Sequence, residues 1–143
     1  MQPNKLSLTS LFLFVLIFNN YSFSQPALEP KIVVKPTTYD FGTIQQDSVI
    51  TTYFVVSNKG DALLKINKVG ASCGCTAVIA KKDELKPGES TELKVTFDSK
   101  DKIGKQSKTV YVETNDPKNP TFNILLTGII VEKVKPSSHT HKK

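Results

Sequence analysis

From Thr91 to Phe97 every second residue is apolar, with Leu93, Val95 and Phe97 alternating with Glu92, Lys94 and Thr96. A repeat of two residues places one set of side chains on one face of an extended strand and the other set on the opposite face, so this segment reads as a strand with a dry side and a wet side. No helix accommodates that pattern, because its apolar positions recur every three or four residues. Weaker versions recur along the chain between turn-forming clusters. Lys31 to Lys35 makes a first strand that Pro36 interrupts and Tyr39 to Ile44 resumes. Val49 to Ser57 follows with Thr52, Phe54 and Val56 on one face, and Asn58-Lys59-Gly60-Asp61 is its turn. Ala62 to Val69 buries Leu64 and Ile66, Cys75 to Ala80 is a short strand, and Leu85-Lys86-Pro87-Gly88-Glu89 turns the chain into Thr91 to Phe97. Gln106 to Thr114 and Thr121 to Val131 complete the set across Asn115-Asp116-Pro117-Lys118-Asn119-Pro120. About seven strands at this spacing predict an all-β chain, an immunoglobulin-like antiparallel β-sandwich.

The two ends of the chain have a different character. Lys5, the apolar run Leu11 to Phe18 and the small residues of Ser22-Phe23-Ser24 form the three parts of a secretion signal, with cleavage expected after Ser24. The apolar run is shorter than the roughly 20 residues that span a bilayer, so no membrane span is expected after cleavage. Residues 25–134 form the expected domain, and 135–143, with Pro136, two serines and Lys142-Lys143, reads as a disordered tail. The expected location is beyond the inner membrane, in the periplasm or at the cell surface, where disulfides persist.

Charge narrows the partners. The net charge is +6, of which the signal carries one unit at Lys5, and every cation is a lysine because arginine is absent. Arginine's planar fork is the usual reader of guanine and clamp of phosphate, and the lysines here are scattered, so nucleic acid is not an expected partner. A protein or an acidic envelope polymer is.

The order Asn58-Lys59-Gly60-Asp61-Ala62-Leu63-Leu64-Lys65-Ile66, Ser72-Cys73-Gly74-Cys75-Thr76, Pro87-Gly88-Glu89, Thr96-Phe97-Asp98, Gly104, Thr114-Asn115-Asp116-Pro117 and Gly128 resembles the DUF1573 family. The resemblance runs from about Tyr39 to Val131. The family is similar to the immunoglobulin-like domains of cilium and centrosome proteins, the ASPM-SPD-2-Hydin type. It implies an exported immunoglobulin-like sandwich of bacterial envelopes of the Bacteroidota kind, and no agreed activity.

Cys73 and Cys75 are the only cysteines and the one constellation able to carry chemistry. On a straight strand their Cα atoms would lie roughly 6.6 Å apart with the Cβ atoms too distant for a relaxed bridge, so a disulfide requires a bend at Gly74. Three readings stand. The pair forms a short-range and readily reduced disulfide; the cysteines are small buried hydrophobes at a strand start; or two thiolates hold a soft ion such as Cu(I). The only histidines, His139 and His141, lie in the tail, so the domain has no imidazole to orient a thiol, bind zinc or act as a base. The residues 25–143 also lack methionine, the thioether ligand of exported copper carriers. No catalytic residue or cofactor is expected. The chain reads as a non-enzymatic binding or structural module of the cell envelope, with a thiol-redox or Cu(I) protein using Cys73 and Cys75 as the rival. Its oligomeric state is open.

Overall fold

The computed structural model describes residues 27–134. The expected signal and its cleavage site, the tail, His139 and His141 lie outside the described residues. Among the described residues the elements are nine strands: β1 (Ile32–Lys35), β2 (Thr38–Gln45), β3 (Val49–Asn58), β4 (Leu64–Ala71), β5 (Thr76–Ala80), β6 (Glu84–Leu85), β7 (Ser90–Asp98), β8 (Gly104–Thr114) and β9 (Thr121–Val131). They form a four-stranded sheet in the order β1-β3-β7-β5 and a five-stranded sheet in the order β2-β9-β8-β4-β6.

The alternation that predicts β7 is realised residue by residue. Thr91, Leu93, Val95 and Phe97 are buried, and their neighbours turn outward. β7 lies at the centre of its sheet, paired with β3 on one side and β5 on the other, both antiparallel. Phe54 on β3 and Phe97 on β7 are fully enclosed, and each such burial contributes roughly 2–3 kcal/mol. Aromatic rings tie the two sheets together. Tyr39 of β2 meets Phe54 edge-on at 6.5 Å, and Phe41 stacks on Phe97 at 5.4 Å.

Three features depart from the linear reading. Pro36 does not interrupt one strand but separates two that belong to different sheets, because β1 pairs with β3 whereas β2 pairs with β9. The Lys35-Pro36 peptide is cis at this crossing. Next, β2 runs parallel to β9, the one parallel pairing among the antiparallel ones, with a bulge between Asp40 and Thr43 where Gly42 takes a φ of 67°. Finally, β6 is only two residues long, too short to leave a periodic trace; it pairs with the start of β4 and buries Leu85.

Two buried polar side chains close the end of the sandwich that holds the turn after β3 and the loop between β8 and β9. Asn58, fully buried at the end of β3, donates from Nδ2 to the carbonyls of Ala62 at 2.7 Å and Leu85 at 2.9 Å. Its Oδ1 accepts the N–H of Gly60 at 2.9 Å and of Lys31 at 3.3 Å. Asp116, in the loop between β8 and β9, accepts the N–H groups of Ile32 at 2.9 Å, Lys118 at 2.8 Å and Asn119 at 3.2 Å. No buried side-chain nitrogen or oxygen among the described residues is left without a partner, as a dry core requires.

Candidate functional site

The cysteine pair occupies the corner where the chain leaves one sheet for the other. β4 ends at Ala71, paired with Val110 of β8 in the five-stranded sheet, and β5 begins at Thr76, paired with Phe97 of β7 in the four-stranded sheet. Ser72 extends the first ladder by one step: its N–H donates to the carbonyl of Thr109 at 2.8 Å and its Oγ accepts the N–H of Thr109 at 3.1 Å. Cys73 to Cys75 then makes the turn, closed by the Thr76 N–H on the Cys73 carbonyl at 3.2 Å. The Cys75 carbonyl accepts the Asp98 N–H at 2.9 Å, which enters the second ladder.

The turn shortens the Cys73–Cys75 Cα separation to 5.2 Å, inside the range a disulfide tolerates, and the two sulfurs are bonded to each other. Both cysteines are half-buried, and Cys75 packs against the core. The hydroxyl of the buried Thr76 lies 3.5 Å from the Cys73 sulfur and 3.9 Å from that of Cys75. A Cβ added to Gly74 would meet nothing within 4 Å, so packing does not demand glycine at the apex of this turn.

Beside the corner lies a concavity of about 360 Å³, lined by Gly74, Cys75, Thr96, Asp98, Lys100 and Lys102 together with Ala77 and Asp101. Its charged residues come from β7 and the loop that follows it, more than twenty positions along the chain from the cysteines, and no local pattern announces them. The Lys102 Nζ donates to the Lys100 carbonyl at 3.0 Å, which folds that loop back on itself. A larger concavity of about 510 Å³ sits over the outer face of the five-stranded sheet at the β2 bulge, between Asp40, Lys105, Ser107 and Thr127. The two concavities share no residue.

With their sulfurs joined, Cys73 and Cys75 present no thiolate to a soft ion. Among the described residues no group of three or more histidines, cysteines, aspartates or glutamates is placed to hold a metal ion. The corner thus combines a disulfide, a hydroxyl and neighbouring charges of both signs.

A family model described as "Protein of unknown function (DUF1573)" matches residues 32–130, which include both sheets and the cysteine corner. The chain belongs to the DUF1573 family. Several residues that carry the resemblance in the sequence hold turns and sheet ends: Asn58, Gly60, Asn115 and Asp116 bond to backbone or leave room for it. Solved structures similar to this DUF1573 domain share its fold. A protein of unknown function from Porphyromonas gingivalis W83 matches with a TM-score of 0.63 and 19% identity, over 77% of this chain and 51% of that one. This chain therefore spans about half the length of that protein. The human CEP192 ASH/PapD-like domain 7 matches with a TM-score of 0.57 and 14% identity, over 77% of this chain and 94% of the domain. SSP-19, an MSP-domain-like protein of Caenorhabditis elegans, matches with a TM-score of 0.53 and 11% identity, over 68% and 98%. No curated protein matches the chain.

Proposed function

We propose that this DUF1573 chain is an exported, non-enzymatic binding or structural module of a bacterial cell envelope, acting through surface contact with a protein or an envelope polymer. The observation that supports this reading is the outer face of the four-stranded sheet. Val49, Tyr53 and Val55 on β3 and Ile79 on β5 stand there with 64%, 56%, 47% and 63% of their surfaces exposed. A strand that serves only its own core places polar residues on the wet side, so aromatic and branched side chains held outward on rigid strands suit contact with another molecule. The fold shared with PapD-like and MSP-like domains agrees with a binding role. The secretion-signal pattern of residues 1–24 supports export. For the rival thiol-redox or Cu(I) reading, no group of three or more histidines, cysteines, aspartates or glutamates placed to hold a metal ion lies among the described residues.

The test has two readouts. The intact mass of protein recovered from envelope and cytoplasmic fractions reports cleavage, and a mature chain starting at Gln25 in the envelope fraction is expected; an uncut cytoplasmic chain would end the export reading. A photo-crosslinking residue at Tyr53 is expected to give one discrete adduct in cells, while the same residue at Thr109 on the other sheet gives none. Equal labelling from both faces would remove the binding role of the Tyr53 face.

A further inference from the structure

Unpaired N–H and C=O groups along a sheet edge invite another strand, and natural chains blunt such edges with charge, proline, bulges or brevity. Three of this sandwich's four edges are treated in that way. β1 is four residues long, ends at Lys35-Pro36, and has its Ile32 N–H occupied by Asp116. β2 is broken by its bulge, and β6 has two residues, one of them Glu84 in an ion pair with Lys65 at 3.1 Å.

The fourth edge, β5, is the least protected: it is five residues long and followed by Lys81-Lys82, but no bulge or proline interrupts it. Its sequence Thr76-Ala77-Val78-Ile79-Ala80 contains no charge and no proline, and its register with β7 runs without a break. The bonds at its two ends fix which groups are free. The Cys75 carbonyl accepts from Asp98, and the Lys81 N–H donates to the Glu92 carbonyl at 3.1 Å. Backbone direction alternates along a strand, so Ala77 and Ile79 bond to β7, whereas Thr76, Val78 and Ala80 direct their N–H and C=O groups away from the sheet. The side chains match. Val78 and Ala80 lie only half-buried against the core, and Ile79 is largely exposed on the outer face.

We propose that β5 pairs antiparallel with β5 of a second copy of this chain, about a two-fold axis at Val78, so that the two four-stranded sheets become one continuous sheet. The strand is complementary to itself in that register. Val78 faces Val78 and exchanges both backbone bonds; Ala80 donates to the Thr76 carbonyl of the other copy. The Thr76 N–H, already held by the Cys73 carbonyl, is the group that needs no partner. The lysines that follow β5 do not face one another across the axis. Lys81 and Lys82 lie across from Cys75 and Gly74 of the second copy, so no lysine meets lysine at the seam. The end they approach carries Asp98 and Asp101 as well as Lys100 and Lys102. On the outer face Ala77 faces Ile79 of the second copy, which covers apolar surface that a single copy leaves wet. This inference is independent of where the chain is located; it shares Ile79 with the outer face proposed for binding, and self-association is read out separately from partner capture.

Sedimentation of the chain as its native host produces it, with the disulfide intact, tests the seam over a concentration series up to about 1 mM, the range of weak self-association. A monomer–dimer equilibrium is expected. Val78→Pro removes a donor that faces outward, a place where edge strands accept proline, and should weaken the dimer at least about tenfold with the melting temperature kept. Ile79→Lys adds a gatekeeper charge without touching the backbone and should do the same, which covers the case of a poorly folded Val78→Pro. Ala77→Pro, whose N–H serves β7, should instead lower the melting temperature. A wild-type chain that stays monomeric throughout overturns the proposal, as does a dimer that both outward-facing variants leave intact. A monomer whose β5 takes up an added extended peptide overturns it as well.

Discussion

The carboxylate of Asp116 accepts the backbone N–H of Ile32 at 2.9 Å, across 84 residues of sequence. The bond joins the loop between β8 and β9 in one sheet to the edge strand of the other. Asp116 is 1% exposed and serves the N–H groups of Lys118 and Asn119 as well. Removal would leave the buried Ile32 N–H and the partly buried N–H groups of Lys118 and Asn119 without their acceptor, and a hydrogen bond to a charged acceptor is worth about 1.5–3 kcal/mol. Asp116→Ala is expected to lower stability by about 3 kcal/mol in urea unfolding. A loss below about 1 kcal/mol would mean that water replaces the carboxylate readily.

The same residue sets a pH dependence. Burial by itself would raise the Asp116 carboxyl, but the N–H donors of Ile32 and Lys118, with the side chain and N–H of Asn119, outweigh it and hold the group below its ordinary value of 3.8. A carboxyl with a lowered pKa in the folded state stabilises the fold above the unfolded value and loses that contribution as pH falls through the folded one. Wild type should therefore lose stability below about pH 4, and Asp116→Asn should lose less of it in that window. Parallel acid limbs for the two proteins, measured as urea midpoints, would assign the acid sensitivity to other carboxylates.

Gly60 and Gly74 sit in turns of similar appearance and should respond oppositely to alanine. A Cβ at Gly60 would collide with backbone atoms of Glu29, Pro30 and Lys31, which have no side-chain freedom to retreat. Gly60→Ala should lower stability by about 2 kcal/mol or more, since overpacking against fixed atoms costs that much. Gly74 faces open space, and its φ is outside the left-handed region where L residues are strained. Gly74→Ala should change stability by less than about 1 kcal/mol and leave the disulfide in place. Thermal melts and thiol counts of the two variants decide both claims.

Cys73 and Cys75 enclose so short a loop that their bridge restrains the unfolded chain little. The chain-entropy estimate for a three-residue loop is about 1.6 kcal/mol. The double variant with serine at both positions should fold and lose roughly that amount. Wild type purified without reductant, unfolded and alkylated, should take up no adduct and show the mass deficit of one disulfide. Two adducts would place free thiols at the corner. A serine variant that fails to fold would mean that the sulfurs matter for packing beside Thr76.

The strands were legible because their signal is local. Alternation from Thr91 to Phe97 and the turn residues around Asn58 and Asn115 lie within a few positions of one another, and period and turn chemistry need no more. Pairing is a different kind of information. That β2 joins β9 in parallel, and that Pro36 hands the chain from one sheet to the other, depends on partners up to 87 positions distant, as in Thr38 opposite Leu125. Asn58 and Asp116 look like ordinary turn formers in the chain, since the carbonyl of Leu85 lies 27 positions from the one and the N–H of Ile32 lies 84 from the other. At the cysteine corner the pair itself was readable. The Asp98, Lys100 and Lys102 side chains that line its concavity were not, because β7 brings them there from outside any local window.

The pairing of β2 with β9 also sets the order in which the domain completes itself. Residues near the start of the described chain find their sheet only when residues near its end arrive. A chain released from its N-terminus onward would hold Thr38–Gln45 without a neighbour until Thr121–Val131 is free to move beside it. Such non-local closure slows folding, because the entropy of the intervening loop is lost before the contact forms. The last strand is therefore the closing stitch of the molecule, and a chain cut before it loses the common neighbour of β2 and β8 in a single stroke.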